Sequence, residues 1–234
     1  MSRVVVVTPT YNERNNITPL VEAIFKLGIP ELSLVVADDS SPDGTADAVE
    51  VLAGRYPVRV MRRTGERGLG RAYIEAFRDI VNKESPDFII QMDADLSHDP
   101  ASIPRLLEAG QSADVVIGSR YVQGGQIENW ELSRRLVSRF GNFYARTVLG
   151  LPYRDLTGGF RCFRKKVIDT VPFDRVGSVG YNFMIETLWH VHRAGFSVVE
   201  VPIIFRERKE GVSKFNIGIM IECFWRVLKL RFQG

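Results

Sequence analysis

The sequence predicts an α/β fold: a Rossmann-like, mostly parallel sheet flanked by helices. Three observations predict it. Five short β-branched runs bounded by turn residues read as strands: RVVVVT (3–8), LSLVVA (32–37), VRVMRR (58–63), DFIIQM (87–92) and DVVIGS (114–119). Helical stretches at about 13–27, 44–55, 68–83 and 99–110 separate them, which makes right-handed strand–helix–strand crossovers with helices on both faces. The runs are near-continuously apolar, as strands covered on both sides must be. In such a sheet ligands bind beyond the carboxyl ends of the strands. Here those ends read PTYNE, DDSSPDG, DAD and GSRY, and the polar residues gather there.

Beyond Arg120 the pattern changes. QGGQ (123–126) reads as a flexible loop, 133–149 as a helix, GGFRCF (158–163) as a short strand and 181–194 as a helix. SVVEVPIIF (197–205) reads as one strand, and RERKEGVSK (206–214) as a charged loop. The last helix, about 215–232, is amphipathic. Glu222, Arg226, Lys229 and Gln233 form its polar stripe, and Ile217, Met220, Ile221, Phe224 and Leu228 the apolar one. No linker divides the chain. One domain over 1–234 is expected, with a first half at 1–119, a second at 120–214 and a terminal helix.

Composition excludes several classes. With 45% hydrophobic and 25% charged residues in 234, disorder and fibrous repeats are excluded. Two cysteines, Cys162 and Cys223, rule out a disulfide framework or a Cys-rich zinc module. No run approaches about 18 uncharged apolar residues and no signal peptide is recognisable, so a cytosolic chain is expected. Residues 1–119 hold 12 Lys/Arg against 18 Asp/Glu, whereas residues 120–234 hold 19 against 10. The second half therefore either meets an anion or presents a basic solvated face.

Chemistry is concentrated at the strand ends. Asp93 and Asp95 follow an apolar strand, and residues i and i+2 of an extended chain point to one side. Magnesium is held by one or two carboxylates, with substrate phosphates and water completing its shell. The acid pair therefore anchors a metal-bound diphosphate or caps the following helix, a need that Ser97 or Asp99 would meet better. His98 beside it reads as structural. PTYNE (9–13) and DDSSPDG (38–44) end neighbouring strands, and Asp39 suits a ribose hydroxyl or a base edge. Ser41, Pro42 and Gly44 equally make a turn. GERGLG (65–70) has its glycines in the wrong order for a dinucleotide fingerprint and reads as a tight entry to a helix. Arg120, Arg134, Arg135, Arg208 and Lys214 follow strand ends or open helices. Guanidinium forks there could converge on a phosphate. No basic patch interleaved with aromatics is present, so nucleic acid is not an expected partner.

The ordered set PTYNE, DDSSPDGT, GLGRAY, MDADLSHDP, GSRYVQGGQIENW, TGGFRCFRK and KEGVSK resembles the dolichol-phosphate mannose synthases of glycosyltransferase family 2, from about residue 3 to Lys214. The resemblance implies a GT-A fold and transfer of mannose, with inversion, from GDP-mannose to a polyprenyl (dolichyl) phosphate. It implies a Mg2+ or Mn2+ cofactor and a peripheral position on the cytoplasmic face of a membrane. By the same resemblance Pro9, Tyr11, Glu13, Ala37 and Asp39 bind the nucleotide. Asp93, Ala94 and Asp95 form the DxD motif, with Asp95 the principal metal ligand and Asp93 facing the ribose and sugar. Arg120, Arg134 and Ser138 hold the acceptor phosphate, and Arg208 and Lys214 clamp phosphates. Asn182, ahead of Glu186, lies near the donor sugar. Some relatives carry a metal-binding Gln where this chain has Ser97, which would reach the ion through water. Many carry C-terminal transmembrane helices, which this chain lacks: a soluble-domain type, a chain cut short and a need for a membrane-bound partner subunit are the alternatives, and the terminal helix either lies in the interface or packs on its own sheet. A phosphate monoester is largely a dianion at neutral pH, so no catalytic base is expected. A UDP-sugar donor, or a binding module without turnover, remains an alternative.

Overall fold

The computed structural model describes residues 2–178, 180–207 and 217–232. Every predicted strand of the first half forms, in the order β1 (Val4–Thr10), β2 (Leu32–Asp38), β3 (Val58–Arg62), β4 (Phe88–Gln91) and β5 (Val115–Ser119). Between them run α1 (Arg14–Phe25), α2 (Thr45–Leu52), α3 (Leu69–Lys83) and α4 (Ile103–Gly110). The second half adds β6 (Gln126–Glu128), α5 (Leu132–Leu149), β7 (Arg161–Arg164), α6 (Lys165–Thr170), α7 (Tyr181–Arg193), β8 (Val198–Pro202), β9 (Ile204–Arg206) and α8 (Ile217–Phe232).

Seven strands make one sheet in the order β3-β2-β1-β4-β7-β5-β8. Strand order reverses at β1, which lies between β2 and β4, so a crevice opens above their carboxyl ends. Alternate side chains feed opposite cores. Val4 and Val6 join α1, α2 and α4 on one face, while Val5 and Val7 join α3, α6 and α7 on the other. A third core of α5, α7 and α8 closes on Ile117.

Four details differ from the expectation. β7 runs antiparallel between β4 and β5, because the chain re-enters the sheet from its carboxyl edge, with Arg161 opposite Gln91. Gln126, assigned to a flexible loop, starts a strand. The expected single strand 197–205 breaks at Ile203: β8 pairs with β5 as far as Pro202, then β9 leaves the sheet to pair with β6. Proline has no N–H to extend a ladder, which suits a strand changing sheets there. Among the described side chains of α8 the buried ones are Val227 and Leu230; of the predicted apolar stripe, Leu228 is half-buried and Phe224 is 44% exposed and stacks on Tyr144. The groove between α5 and α7 selects the buried face, and periodicity alone cannot. The side chains of Ile217, Met220, Ile221, Glu222 and Gln233 lie outside the described residues.

Gly125 turns the chain from β5 toward β6. A Cβ there would stand 2.7 Å from the Ser119 carbonyl oxygen and 2.8 Å from Arg120 backbone atoms. Gly125→Ala should therefore cost about 1–3 kcal/mol in urea denaturation. Gly141→Ala meets nothing within 4 Å inside α5 and should stabilise by up to about 1 kcal/mol.

Candidate active site

A cleft of about 1020 Å³ opens over the carboxyl ends of β1, β2 and β4 and runs on between α5 and α8. Pro9, Tyr11, Glu13 and Asp39 line one end, Asp93, Ala94, Asp95 and Ser97 the middle, and Arg120, Arg134 and Ser138 the far side, with Asn182 also exposed to it. Ala37 is an exception among the expected residues. Its side chain points into the sheet core beside Val5 and Val7 and has no face on the cleft, as alternation along β2 requires. Arg208 and Lys214 lie outside the described residues.

At the first end the two adjacent acids have different work. Asp38 builds the turn: it accepts from Thr10 Oγ1 at 2.9 Å and from the Ser41 N–H at 2.9 Å. Asp39 accepts the Gly68 N–H at 3.1 Å and pairs with the Arg63 guanidinium, both side chains being nearly buried. Arg63 also donates to Glu75 at 2.9 and 2.7 Å, and those hydrogen bonds hold the Glu75 carboxyl below its ordinary value. Nothing local in the sequence marks Arg63, because its partners lie 24 positions back and 12 ahead. Arg67 covers the Tyr11 ring at 4.3 Å and donates to its hydroxyl at 2.8 Å. GERGLG works as a helix entry: Gly68 caps α3, and a Cβ on Gly70 would strike Phe183 at 2.8 Å.

In the middle, Asp99 caps the turn before α4, accepting the Ala101 N–H at 2.9 Å. Asp93 and Asp95 are therefore not needed as caps. Tyr73, buried, shares its hydroxyl between the Met92 carbonyl at 3.0 Å and Asp93 at 3.3 Å. Asp95 accepts the Ser97 N–H at 3.1 Å across Leu96, which sits at φ 61°, a left-handed conformation for a branched residue. The Ser97 hydroxyl is buried and has no hydrogen-bond partner among the described residues. Among those residues no group of three or more His, Cys, Asp or Glu side chains is placed to hold a metal ion by itself. Two carboxylates and an orphaned hydroxyl, all oxygen donors, fit an ion that takes its remaining ligands from phosphates and water.

His98 holds this turn from beneath. Its Nδ1 accepts the Asp93 N–H at 3.1 Å, and its ring stacks on Phe160 and meets Phe205 edge-on. Burial pulls its pKa below the ordinary 6.5, against the attraction of Asp93 and Asp95. The ring is neutral, with Nδ1 as acceptor.

On the far side, Asp155 organises Arg120. The fully buried carboxylate accepts the Arg120 backbone N–H at 2.9 Å, Nε at 2.8 Å and Nη2 at 2.7 Å. Burial alone would raise the Asp155 pKa; the charge and hydrogen bonds of Arg120 prevail and hold it below the ordinary value. Nη2 also reaches Thr157 at 2.8 Å, and Asn142 of α5 ties down Thr157 and Leu156. Arg134 lies 4.1 Å from the centre of the Trp130 ring and donates to Glu207 at 2.8 Å. Ser138 Oγ accepts from the Tyr121 hydroxyl at 2.7 Å. Arg161 is fully buried under this wall, donating to the carbonyls of Gly158, Leu156 and Met184; burial lowers its pKa to about 10. Asn182 is nearly buried, and its Oδ1 has no partner among the described residues. Glu186 does not line the cleft; it accepts the backbone N–H groups of Gly177 and Ser178.

A sequence model described as "Glycosyl transferase family 2" matches residues 5–171. An undecaprenyl-phosphate mannosyltransferase of Micrococcus luteus is 42% identical over 237 residues, covering 99% of this chain and 97% of the relative. A polyprenol monophosphomannose synthase of Mycolicibacterium smegmatis is 41% identical over 235 residues, covering 99% and 88%. Among solved structures, glucosyl-3-phosphoglycerate synthase of Mycobacterium tuberculosis in complex with Mn2+, UDP-glucose and phosphoglyceric acid superimposes with a TM-score of 0.72. It is 20% identical and covers 98% of this chain and 79% of that one. The fold is GT-A-like.

Two stability measurements test the site's electrostatics. Asp155→Ala strands a buried guanidinium and should cost about 3–5 kcal/mol in urea denaturation. His98 is harder to protonate folded than unfolded, so the unfolded chain gains the extra proton as pH falls through about 6.5. Stability should drop by up to about 1.4 kcal/mol per pH unit from this group. His98→Gln should flatten the profile between pH 7.5 and 5 by that slope; an unchanged profile would place the titration elsewhere.

Proposed function

Because the chain belongs to glycosyl transferase family 2, we propose that it transfers mannose from GDP-mannose to a polyprenyl phosphate. The carrying observation is the two-sided character of one cleft. Its inner part offers paired carboxylates and guanidiniums, and its outer part, between α5 and α8, offers Val137, Phe140, Tyr144, Phe224 and Val227. An acceptor anionic at one end and hydrocarbon along the rest matches both parts. The names of the relatives from Micrococcus luteus and Mycolicibacterium smegmatis support mannose as the sugar and a polyprenyl phosphate as the acceptor.

In this reading Pro9, Tyr11, Glu13 and Asp39 receive the nucleotide, and Asn182 presents its carbonyl oxygen to a sugar hydroxyl. Arg120 and Arg134, with Ser138, orient the acceptor phosphate. A phosphate oxygen forms a bond to C1 of mannose from the face opposite the leaving group while the C1–O bond to the diphosphate breaks, so the configuration inverts and GDP departs. The acceptor is already a dianion at neutral pH, and positioning replaces a catalytic base. Asp93 and Asp95, with Ser97 beside them, would hold Mg2+ or Mn2+, which would supply positive charge against the departing diphosphate. Arg208 and Lys214 are assigned to the phosphates by their motif alone.

The surface supports a peripheral place on a membrane; the need for a nucleotide sugar is the ground for proposing the cytoplasmic face. Leu132, Leu136, Phe140 and Phe143 make one exposed stripe along α5, and Trp225 and Phe232 are exposed on α8. No helix among the described residues is long and apolar enough to cross a membrane. A membrane-bound partner subunit could share this face.

A transfer assay tests the function: labelled GDP-mannose, UDP-glucose in parallel, a short polyprenyl phosphate and Mg2+ or Mn2+. Label should enter the organic phase from GDP-mannose, and Asp95→Ala should cut turnover by at least about 100-fold. Label from UDP-glucose alone would change the donor. Flotation with anionic vesicles tests the surface, and Leu136→Asp with Phe140→Asp should abolish it.

A further inference from the structure

Gly141 lies inside α5 and lines the cleft. A helix interior disfavours glycine, which loses the most backbone freedom on folding and buries no side chain. Proteins keep one there for a positive φ or for a close approach. Neither applies. The backbone of Gly141 is helical, and an added Cβ would meet nothing within 4 Å among the described residues. Gly70 of α3 shows the contrast, since its Cβ would strike Phe183. Helix register gives the direction of the missing side chain. Arg134, Val137, Ser138, Gly141, Tyr144 and Ala145 line the cleft from α5. At about 100° per residue, Gly141 falls in the middle of that face, within about 20° of Arg134 seven positions earlier. A Cβ on Gly141 would therefore point into the cleft. Toward one end stands Ser138, about 4.5 Å away along the helix axis. Toward the other, Tyr144 stacks on Phe224 of α8 at 4.7 Å and donates its hydroxyl to the Phe224 carbonyl at 3.1 Å. The space at Gly141 is thus bounded by apolar rings on its outer side and lies one short step from the residues assigned to the phosphate.

With neither cause inside the protein, the bare backbone makes room for something bound. We infer that Gly141 is a specificity position: it seats the first isoprene unit of the acceptor, whose methyl branch takes the space a side chain would fill. This rests on the acceptor being a polyprenyl phosphate, as proposed above. The four backbone carbons of one isoprene unit span the step from Ser138 to Gly141. An unbranched chain would leave the space empty and lose that contact. A side chain at position 141 would fill it from the protein's side and push the branched chain out. The donor end of the cleft is untouched by either change.

Three acceptors separate shape from length: geranyl phosphate, octyl phosphate and 3-methyloctyl phosphate, which differs from octyl phosphate only by the branch. With GDP-mannose, the wild type should favour the 3-methyloctyl over the octyl compound about fourfold in kcat/KM, the worth of one buried methyl group. Gly141→Ala should abolish that preference. Gly141→Leu should raise the KM for geranyl phosphate about 10–100-fold by overpacking, with the GDP-mannose KM unchanged in both variants. Gly141→Ala should fold at least as stably as the wild type, so a glycine that served the fold alone would leave the preference where it was. Should Gly141→Leu not fold, the preference of Gly141→Ala decides. Calorimetric binding of the same three phosphates without donor keeps the seat and the reaction apart. Transfer with an unchanged preference in Gly141→Ala overturns the seat and spares the proposed reaction. A binding preference lost in Gly141→Ala, without transfer from GDP-mannose, upholds the seat and overturns the reaction. Equal binding of the octyl and 3-methyloctyl compounds by the wild type overturns the seat, and no binding of any of the three overturns both.

Discussion

The buried pair of Asp155 and Arg120 is the constraint on which the acceptor side of the cleft depends. A fully buried carboxylate is tolerable only when its oxygens are saturated, and Arg120 supplies three donors, one of them from the backbone. The same bonds fix the end of β5, from which the chain turns toward β6 and the ring of Trp130. They also fix the loop from Asp155 to Phe160, which Arg161 braces from inside through the carbonyls of Leu156 and Gly158. One ion pair thus determines where a guanidinium faces the cleft and where the cleft wall runs.

The opposite side uses the same device with a different geometry. Asp39 is clamped by Arg63 and by the entry of α3, while Asp93 and Asp95 are shaped by Tyr73, His98 and a left-handed Leu96. The polar groups are held by the scaffold and little by one another. His98 links the two sides: it supports the Asp93 backbone and packs against Phe205, which packs against Trp130. The acid turn and the guanidinium wall therefore share one aromatic spine, a reason for their mutual placement to be rigid. The outer, apolar part of the cleft comes from α5 and α8, which bury one face in the third core and leave the other exposed.

Much of this was legible in the chain. The five strands of the first half, their intervening helices and the polar clusters at the strand ends follow from periodicity and turn chemistry, which are local. The acid pair, the PTYNE and DDSSPDG turns and Arg120 could be picked out because each stands where an apolar strand stops. Arg63 and Asp155 could not be. Each matters through a partner distant in sequence, and in isolation Asp155 is one acid before a glycine pair. Ala37 illustrates the converse: proximity to a motif in sequence does not tell which face of a strand a side chain occupies.

The sequence by itself determined the elements, their order and the kind of chemistry at the strand ends, because hydrophobic period, caps and charge act over a few residues. Only the tertiary structure decided the reversed direction of β7, the break of one predicted strand into β8 and β9, and the buried face of α8. It also decided which acids are structural and which face the cleft. Those outcomes depend on desolvation and on pairing between segments tens of residues apart, where burial turns a charge from an ornament of the surface into a constraint on the fold.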